Sequence, residues 1–274
     1  MPRGTKRAAP TKPSRAVTAL LAKDTVAYAE ALTSAIRRKE KAILSHYKAR
    51  PGAFDAFDPL EEVWEAFSSW YADFDASIRA ADGIKTISKT AKRRWLETVQ
   101  QVLGVSALDI LQDPAIGAPF DEATAAYMQY FDRYGADTMG KLKDAAFRNF
   151  TGQKVPEGNL QAYLQKLYAG TAKHARFVAL DINATYTATF SRLRAQSIGL
   201  TEYAWTTAGD RFVVGAGVWK PSPMHGNHFL RSGNTYSYEH RFEDGHPGEA
   251  IGCRCLAMPI VPTDPSQLTN LSFV

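Results

Sequence analysis

The chain has 274 residues, 45% apolar and 22% charged, with a formal net charge of +5; these are proportions of a folded globular protein, not of a disordered or collagen-like chain. No apolar run approaches the roughly 20 residues that a bilayer-spanning helix needs, and the basic N-terminus is not followed by the apolar core and cleavage site of a secretory signal. Its two cysteines, Cys253 and Cys255, fit a reducing compartment, so synthesis in the cytoplasm and no membrane partner are expected.

The net charge hides a division. Residues 1–50 carry twelve Lys or Arg against three acids, or +9, which leaves −4 for the other 224. A basic arm on a mildly acidic body suits a polyanion or an acidic protein surface, and it also suits a plain solubilising tail. Residues 1–15 hold three prolines, five basic residues and almost no large apolar ones. Such a segment buries too little surface to offset ordering entropy, so a disordered arm is expected there.

From Ala16 the pattern turns helical, with Leu21, Tyr28, Leu32, Ile36, Ile43 and Tyr47 on one face, and Arg50-Pro51-Gly52 should end that helix. Asp58-Pro59 starts a second helix, a capping side chain followed by a proline at the first turn. Its stripe of Leu60, Trp64, Phe67, Tyr71, Phe74 and Ile78 runs in steps of three and four to Asp82-Gly83, which reads as a packing face. A basic helix over about 87–103 follows, then a loop from Gly104 to Pro119 with Asp113-Pro114 inside it. Two helices are expected at about 121–150 and 157–169, ended by Gly170. A last one spans 171–198, with Val178, Ile182, Tyr186, Phe190 and Leu193 inward.

After Gly199 the texture changes to aromatics among Gly, Pro, Asn and Ser, which reads as short strands and long loops, with one more short strand over Leu256–Val261. The fold class is α+β: a mostly helical N-terminal region followed by a small C-terminal module with short strands. The expected divisions are a disordered basic arm (1–15), a helical region (16–170), a C-terminal module (171–262) and a tail (263–274).

The chemistry is concentrated in that module. Both cysteines and four of the six histidines, His225, His228, His240 and His246, lie within its last part. A Cys-x-Cys pair on extended backbone puts both thiols on one face, although zinc knuckles use two to four intervening residues. If an ion were held, His228, His246, Cys253 and Cys255 would be its ligands and zinc the ion. Asp210, His228 and either cysteine would be the pieces of a nucleophile–base site, but no nucleophile elbow, phosphate loop or HExxH motif is present. In the third reading the buried thiols pack under Pro247-Gly248 while Arg254 turns away into an ion pair. A disulfide between the two would be strained. We read the cluster as structural, with no catalytic residue, no cofactor and no assigned metal.

The order Tyr203-x-Trp205, Asp210-Arg211, His228-x-x-x-x-Gly233 and Pro247-Gly248-Glu-Ala-Ile-x-Cys253-Arg254-Cys255 resembles the phage Mu F-like head morphogenesis family of minor capsid proteins. The resemblance covers about residues 171–258, with Phe177-Val178-Ala179 and Arg192 on the leading helix. The chain departs from the family pattern in two places. An insertion through Trp219 and Pro221 lengthens the step from Asp210 to His228, and Phe212-Val213-Val214 stands where a second arginine is usual.

The resemblance implies a low-copy, portal-associated protein of a tailed-phage head, acting in procapsid assembly and in DNA packaging or ejection. Its expected partners are the portal, the major capsid or scaffolding protein, and double-stranded DNA bound without sequence preference; its expected place is the virion. Arg3, Lys6, Arg7, Lys12 and Arg15 are the candidate phosphate contacts, and no base-reading module accompanies them. A nuclease or toxin-like enzyme using the His/Cys cluster is the alternative.

Overall fold

The computed structural model describes residues 4–48, 58–223 and 226–273. The fold is α+β, with long helices and short antiparallel strands. It divides into two compact units. The first is drawn from the described parts of residues 1–18, 82–123 and 180–274, the second from 19–81 and 124–179. The expected boundary at residue 170 instead falls inside a helix.

The second unit takes its residues from helices α1 (Arg15–His46), α2 (Pro59–Phe74), α3 (Ala76–Leu103), α4 (Ala118–Phe150) and α5 (Leu160–Ser197). Its core is aromatic. The Tyr28 ring meets Phe67 at 5.3 Å, Tyr71 at 5.4 Å and Phe131 at 5.2 Å, mostly edge to face, the geometry that ring quadrupoles favour. The Tyr28 hydroxyl donates to the Phe131 carbonyl, which satisfies the one polar atom this ring buries. On α1 the periodicity holds: Leu21, Tyr28, Leu32, Ile36 and Ile43 are buried. Its expected Pro-Gly terminator lies outside the described residues.

Three features of the helices differ from the sequence reading. The stripe on α2 does not continue to Asp82-Gly83, because Asp75 takes left-handed backbone geometry (φ 52°, ψ 55°) and ends the helix. The chain restarts as α3 one residue later with its phase turned, so Ile78 ends up exposed while Leu60, Phe67 and Phe74 stay buried. Gly83 then lies inside α3 and Gly170 inside α5. An interior glycine costs a helix only about 1 kcal/mol relative to alanine, which neighbouring turns absorb. The third difference is the buried face of α5, which is Ala175, Ala179, Asn183, Thr187, Phe190 and Arg194; of the residues expected inward, only Phe190 is fully buried.

Polar pairing explains that face. Asn183 donates to the Ser14 carbonyl at 2.9 Å and to Thr18 Oγ1 at 2.8 Å, and Thr187 donates back to Asn183. Arg194 is fully buried and reaches Asp113 through Nε and Nη2 at 3.0 and 2.8 Å, with Ser88 accepting a further bond. Removing one partner of such a pair strands a buried charge, at a cost of about 3–5 kcal/mol.

The first unit carries the sheets. Strands β1 (Thr5–Arg7), β3 (Glu202–Thr206), β4 (Thr235–Ser237) and β5 (Leu256–Pro262) form one antiparallel sheet in the order β1-β5-β3-β4. Strands β2 (Leu108–Ile110) and β6 (Leu271–Phe273) form a second. The arm expected to be disordered therefore has a strand in it, with Lys6 opposite Val261 and Ala8 fully buried beyond it. Ladder hydrogen bonds and one buried methyl supply the ordering energy that the arm's own composition lacks. Within the expected loop and tail, Leu108–Ile110 likewise pairs with Leu271–Phe273. Pro259 stands opposite Tyr203 of β3, and its carbonyl accepts the Ala8 N–H at 2.8 Å, so its missing N–H falls on the side where β1 ends rather than on β3. Trp95, Val99, Ile198, Tyr203, Trp205, Tyr238 and Cys255 fill the core beneath.

Candidate functional site

The motif-bearing residues come from four places in the first unit. Trp205 lies on β3. His228 opens the short helix α6 (His228–Arg231), whose cap Asn227 accepts the Leu230 N–H. Asp244 stands in the following loop. Cys253 and Cys255 lie just before β5, and both sulfurs face the same His228 ring nitrogen. Gly233 (φ +85°) turns the chain from α6 into β4, and its N–H donates to the Trp205 carbonyl at 2.8 Å.

His228 is the hub. Its ring is buried against Trp205, with centroids 5.3 Å apart and nearly perpendicular. Nε2 lies 2.7 Å from Asp244 Oδ2, while Nδ1 faces both sulfurs at 3.5 Å each. Asp244 is fixed from the other side by Arg231, whose Nη1 reaches its two oxygens at 2.8 and 3.0 Å. The Arg231 guanidinium lies over the rings of Phe242 at 4.2 Å and Trp205 at 5.0 Å, which keeps a charge favourable away from bulk water.

The Pro247-Gly248 turn is buried over this cluster. Gly248 has φ +89°, and a Cβ there would stand 2.9 Å from Ala188 Cβ and 3.2 Å from the Cys255 carbonyl, so backbone geometry and space both require glycine. Glu249 secures the turn by accepting from Arg192 Nε at 2.7 Å and from the His246 N–H at 3.0 Å. Asp181 accepts the Gly252 N–H.

Electrostatics follow from these contacts. The contact with Cys255 lowers the Cys253 thiol well below its ordinary range, with His228 adding to the effect against the cost of burial. Cys255 is pushed up in turn, first by that shared contact and then by burial. Burial opposes charge on His228, yet its bonds to Cys253 and Asp244 carry its pKa upward. Burial also works against ionised Asp244, and Arg231 and His228 overcome it. The Trp205 indole Nε1 is buried without a hydrogen-bond partner.

Other sequence-derived residues fall elsewhere. Asp210 does not approach His228. It accepts both arms of Arg254 at 2.6 and 2.8 Å in an exposed pair, so Arg254 does turn away from its neighbouring cysteines. The carboxylate on His228 is Asp244, which the sequence reading missed. A Glu-Asp-Gly turn gave no signal for it, although Arg231, one helical turn from His228, was within reach of helix geometry. Arg211 lies over the Phe212 ring.

His246 is separate from the Cys–His cluster. Its Nδ1 meets the Tyr203 hydroxyl at 3.1 Å, and it lines an open cleft of about 620 Å³ with Arg192, Arg241 and Glu249. His225 and Arg3 lie outside the described residues. Lys6, Arg7, Lys12 and Arg15 are exposed, and none makes an ion pair among the described residues. The chemistry that converges is therefore two soft sulfurs and one imidazole whose atoms lie within 4.8 Å of one another.

Among known proteins, the chain is similar to an uncharacterized protein of Haemophilus influenzae, 22% identical over 162 residues. That match takes in 59% of this chain and 34% of the relative, so the chain spans about a third of the length of the curated relative it matches. No protein-family model matches. No solved structure matches either. Among the described residues no helix is long and apolar enough to cross a membrane.

Proposed function

We propose that this chain is a minor capsid protein of a tailed phage, located at the head interior or portal vertex. In this reading it acts in procapsid assembly and in DNA packaging or ejection, through the portal, the major capsid or scaffolding protein, and nonspecific DNA. The supporting observation is that motif elements up to 44 residues apart close onto one another: Asp210 with Arg254, His228 with Cys253 and Cys255, and Gly248 against the Cys255 carbonyl. Mutual contact is what a resemblance built on order and spacing requires of one module. A portal role is tested by co-expression with the phage portal protein. Low-copy chain retained on purified portal rings is expected, and rings that stay bare would contradict it.

For DNA, the exposed cations Lys6, Arg7, Lys12 and Arg15 are held near β1 rather than on a free arm. Counterion release makes log affinity fall with log salt by about 0.9 per neutralised phosphate. Replacing the four with alanine should flatten that slope, and an unchanged slope would remove these residues from the interface.

A second reading, a nuclease or toxin-like enzyme, draws on one observation: Cys253, His228 and Asp244 stand in the sequence of a nucleophile, a base and its orienting acid. Under it, Cys253→Ser abolishes a measurable hydrolytic activity while the melting curve stays normal. A large loss of stability without any activity to lose favours the structural reading.

A further inference from the structure

We propose that His228 Nδ1, Cys253 Sγ and Cys255 Sγ bind one zinc ion, with Asp244 as the positioning carboxylate on the opposite ring nitrogen. This site goes beyond the capsid reading and does not depend on it.

The spacing of the donor atoms carries the inference. Zinc–sulfur bonds of about 2.3 Å and zinc–nitrogen bonds of about 2.0–2.1 Å, opened to the tetrahedral angle, put sulfur and nitrogen about 3.6 Å apart. Both sulfurs lie 3.5 Å from the same Nδ1, and all three atoms fall within 4.8 Å of one another. The two sulfur–nitrogen separations thus match two edges of a zinc tetrahedron. Ordinary packing does not account for this arrangement, because it leaves a buried ring nitrogen facing two weak sulfur partners in place of a strong donor.

The surroundings match a metal site as well. A ligating histidine normally gives its other N–H to a carboxylate that fixes ring orientation; here Nε2 meets Asp244 Oδ2 at 2.7 Å, and Arg231 holds that carboxylate in turn. The Cys255 N–H donates to Cys253 Sγ at 3.4 Å, and the buried Trp205 Nε1 has no hydrogen-bond partner. Charges close too. Two thiolates cancel a dication, and Arg231 cancels Asp244, so the buried assembly is neutral as burial demands. Two thiolates and an imidazole select zinc over the hard cations. The Cys-x-Cys spacing, too short for a knuckle turn, works here because both sulfurs face the same imidazole nitrogen. The fourth corner falls to water or an incoming ligand beside the half-buried Cys253.

The test is metal analysis of the full chain after exposure to zinc and gel filtration, followed by cobalt substitution. About one equivalent of zinc per chain is expected, with a cobalt spectrum showing thiolate charge transfer and the visible bands of tetrahedral coordination. Cys253→Ser should lose much of the charge-transfer intensity. Asp244→Asn should keep the spectrum while binding about 10–100-fold more weakly, a shift that a purely structural Asp244 would not produce. Zinc below roughly a tenth of an equivalent, or a cobalt spectrum without thiolate bands, overturns the proposal. If the serine variant does not fold, wild-type stoichiometry and spectrum decide alone.

Discussion

The aromatic core of the helical unit and the His–Cys cluster of the sheet-bearing unit are both buried, but different forces hold them. Around Tyr28, Phe67 and Phe131 the stabilisation is area removed from water and ring-on-ring contact, spread over many residues and largely indifferent to which apolar side chain supplies it. Around His228 it rests on a few directional contacts from chain segments far apart in sequence, each leaving a stranded polar atom if broken. Apolar packing tolerates substitution by shape, whereas a polar network tolerates it only by chemistry.

The contrast is broken most forcefully by Phe131→Ala. It should cost about 3–5 kcal/mol in denaturant unfolding, through lost burial and the remaining cavity. Asp244→Asn keeps nearly the same shape in the polar cluster, yet should cost about 1.5–3 kcal/mol, because His228 and Arg231 lose an ionised acceptor. Leu32→Met, a comparable shape-conserving change at a fully buried position of the helical unit, should cost less than about 1.5 kcal/mol. If the asparagine variant proves as mild as the methionine one, the distinction between the regions fails.

A smaller effect sharpens the comparison through pH. Burial raises the pKa of Tyr28, Tyr127 and Tyr130 above the ordinary tyrosine value. Stability from these groups is complete below about pH 10, the unfolded value, and is lost as pH rises through their folded values. Ultraviolet titration should show these phenols ionising only as the chain unfolds, and Tyr28→Phe should lessen the alkaline loss. Free ionisation near pH 10 in the folded state would contradict their burial.

The two regions also differed in how legible they were. Leu21, Tyr28, Leu32 and Ile36 announced their helix, and Asp58 before Pro59 announced the next, since cap and periodicity are local properties. The Cys-x-Cys pair revealed that its thiols share a face. Left-handed Asp75 left no trace, because an aspartate can end a helix or continue it. Nor did the pairing of Thr5–Arg7 with β5, the burial of Arg194 on Asp113, or the choice of Asp244 over Asp210 for His228. Each depends on a partner that only the folded chain brings near. Hydrophobic periodicity also misassigned α5, whose buried stripe includes Asn183, Thr187 and Arg194, because it cannot register polar groups that are satisfied inside.

The most direct measurement of the central claim, that the C-terminal motif is a fold-holding knot centred on His228, is the melting temperature of His228→Ala. Losing the ring and its bonds should cost about 2–4 kcal/mol, lowering the melting temperature by roughly 5–10 °C in a chain of this size. A variant that melts with wild type would contradict the account.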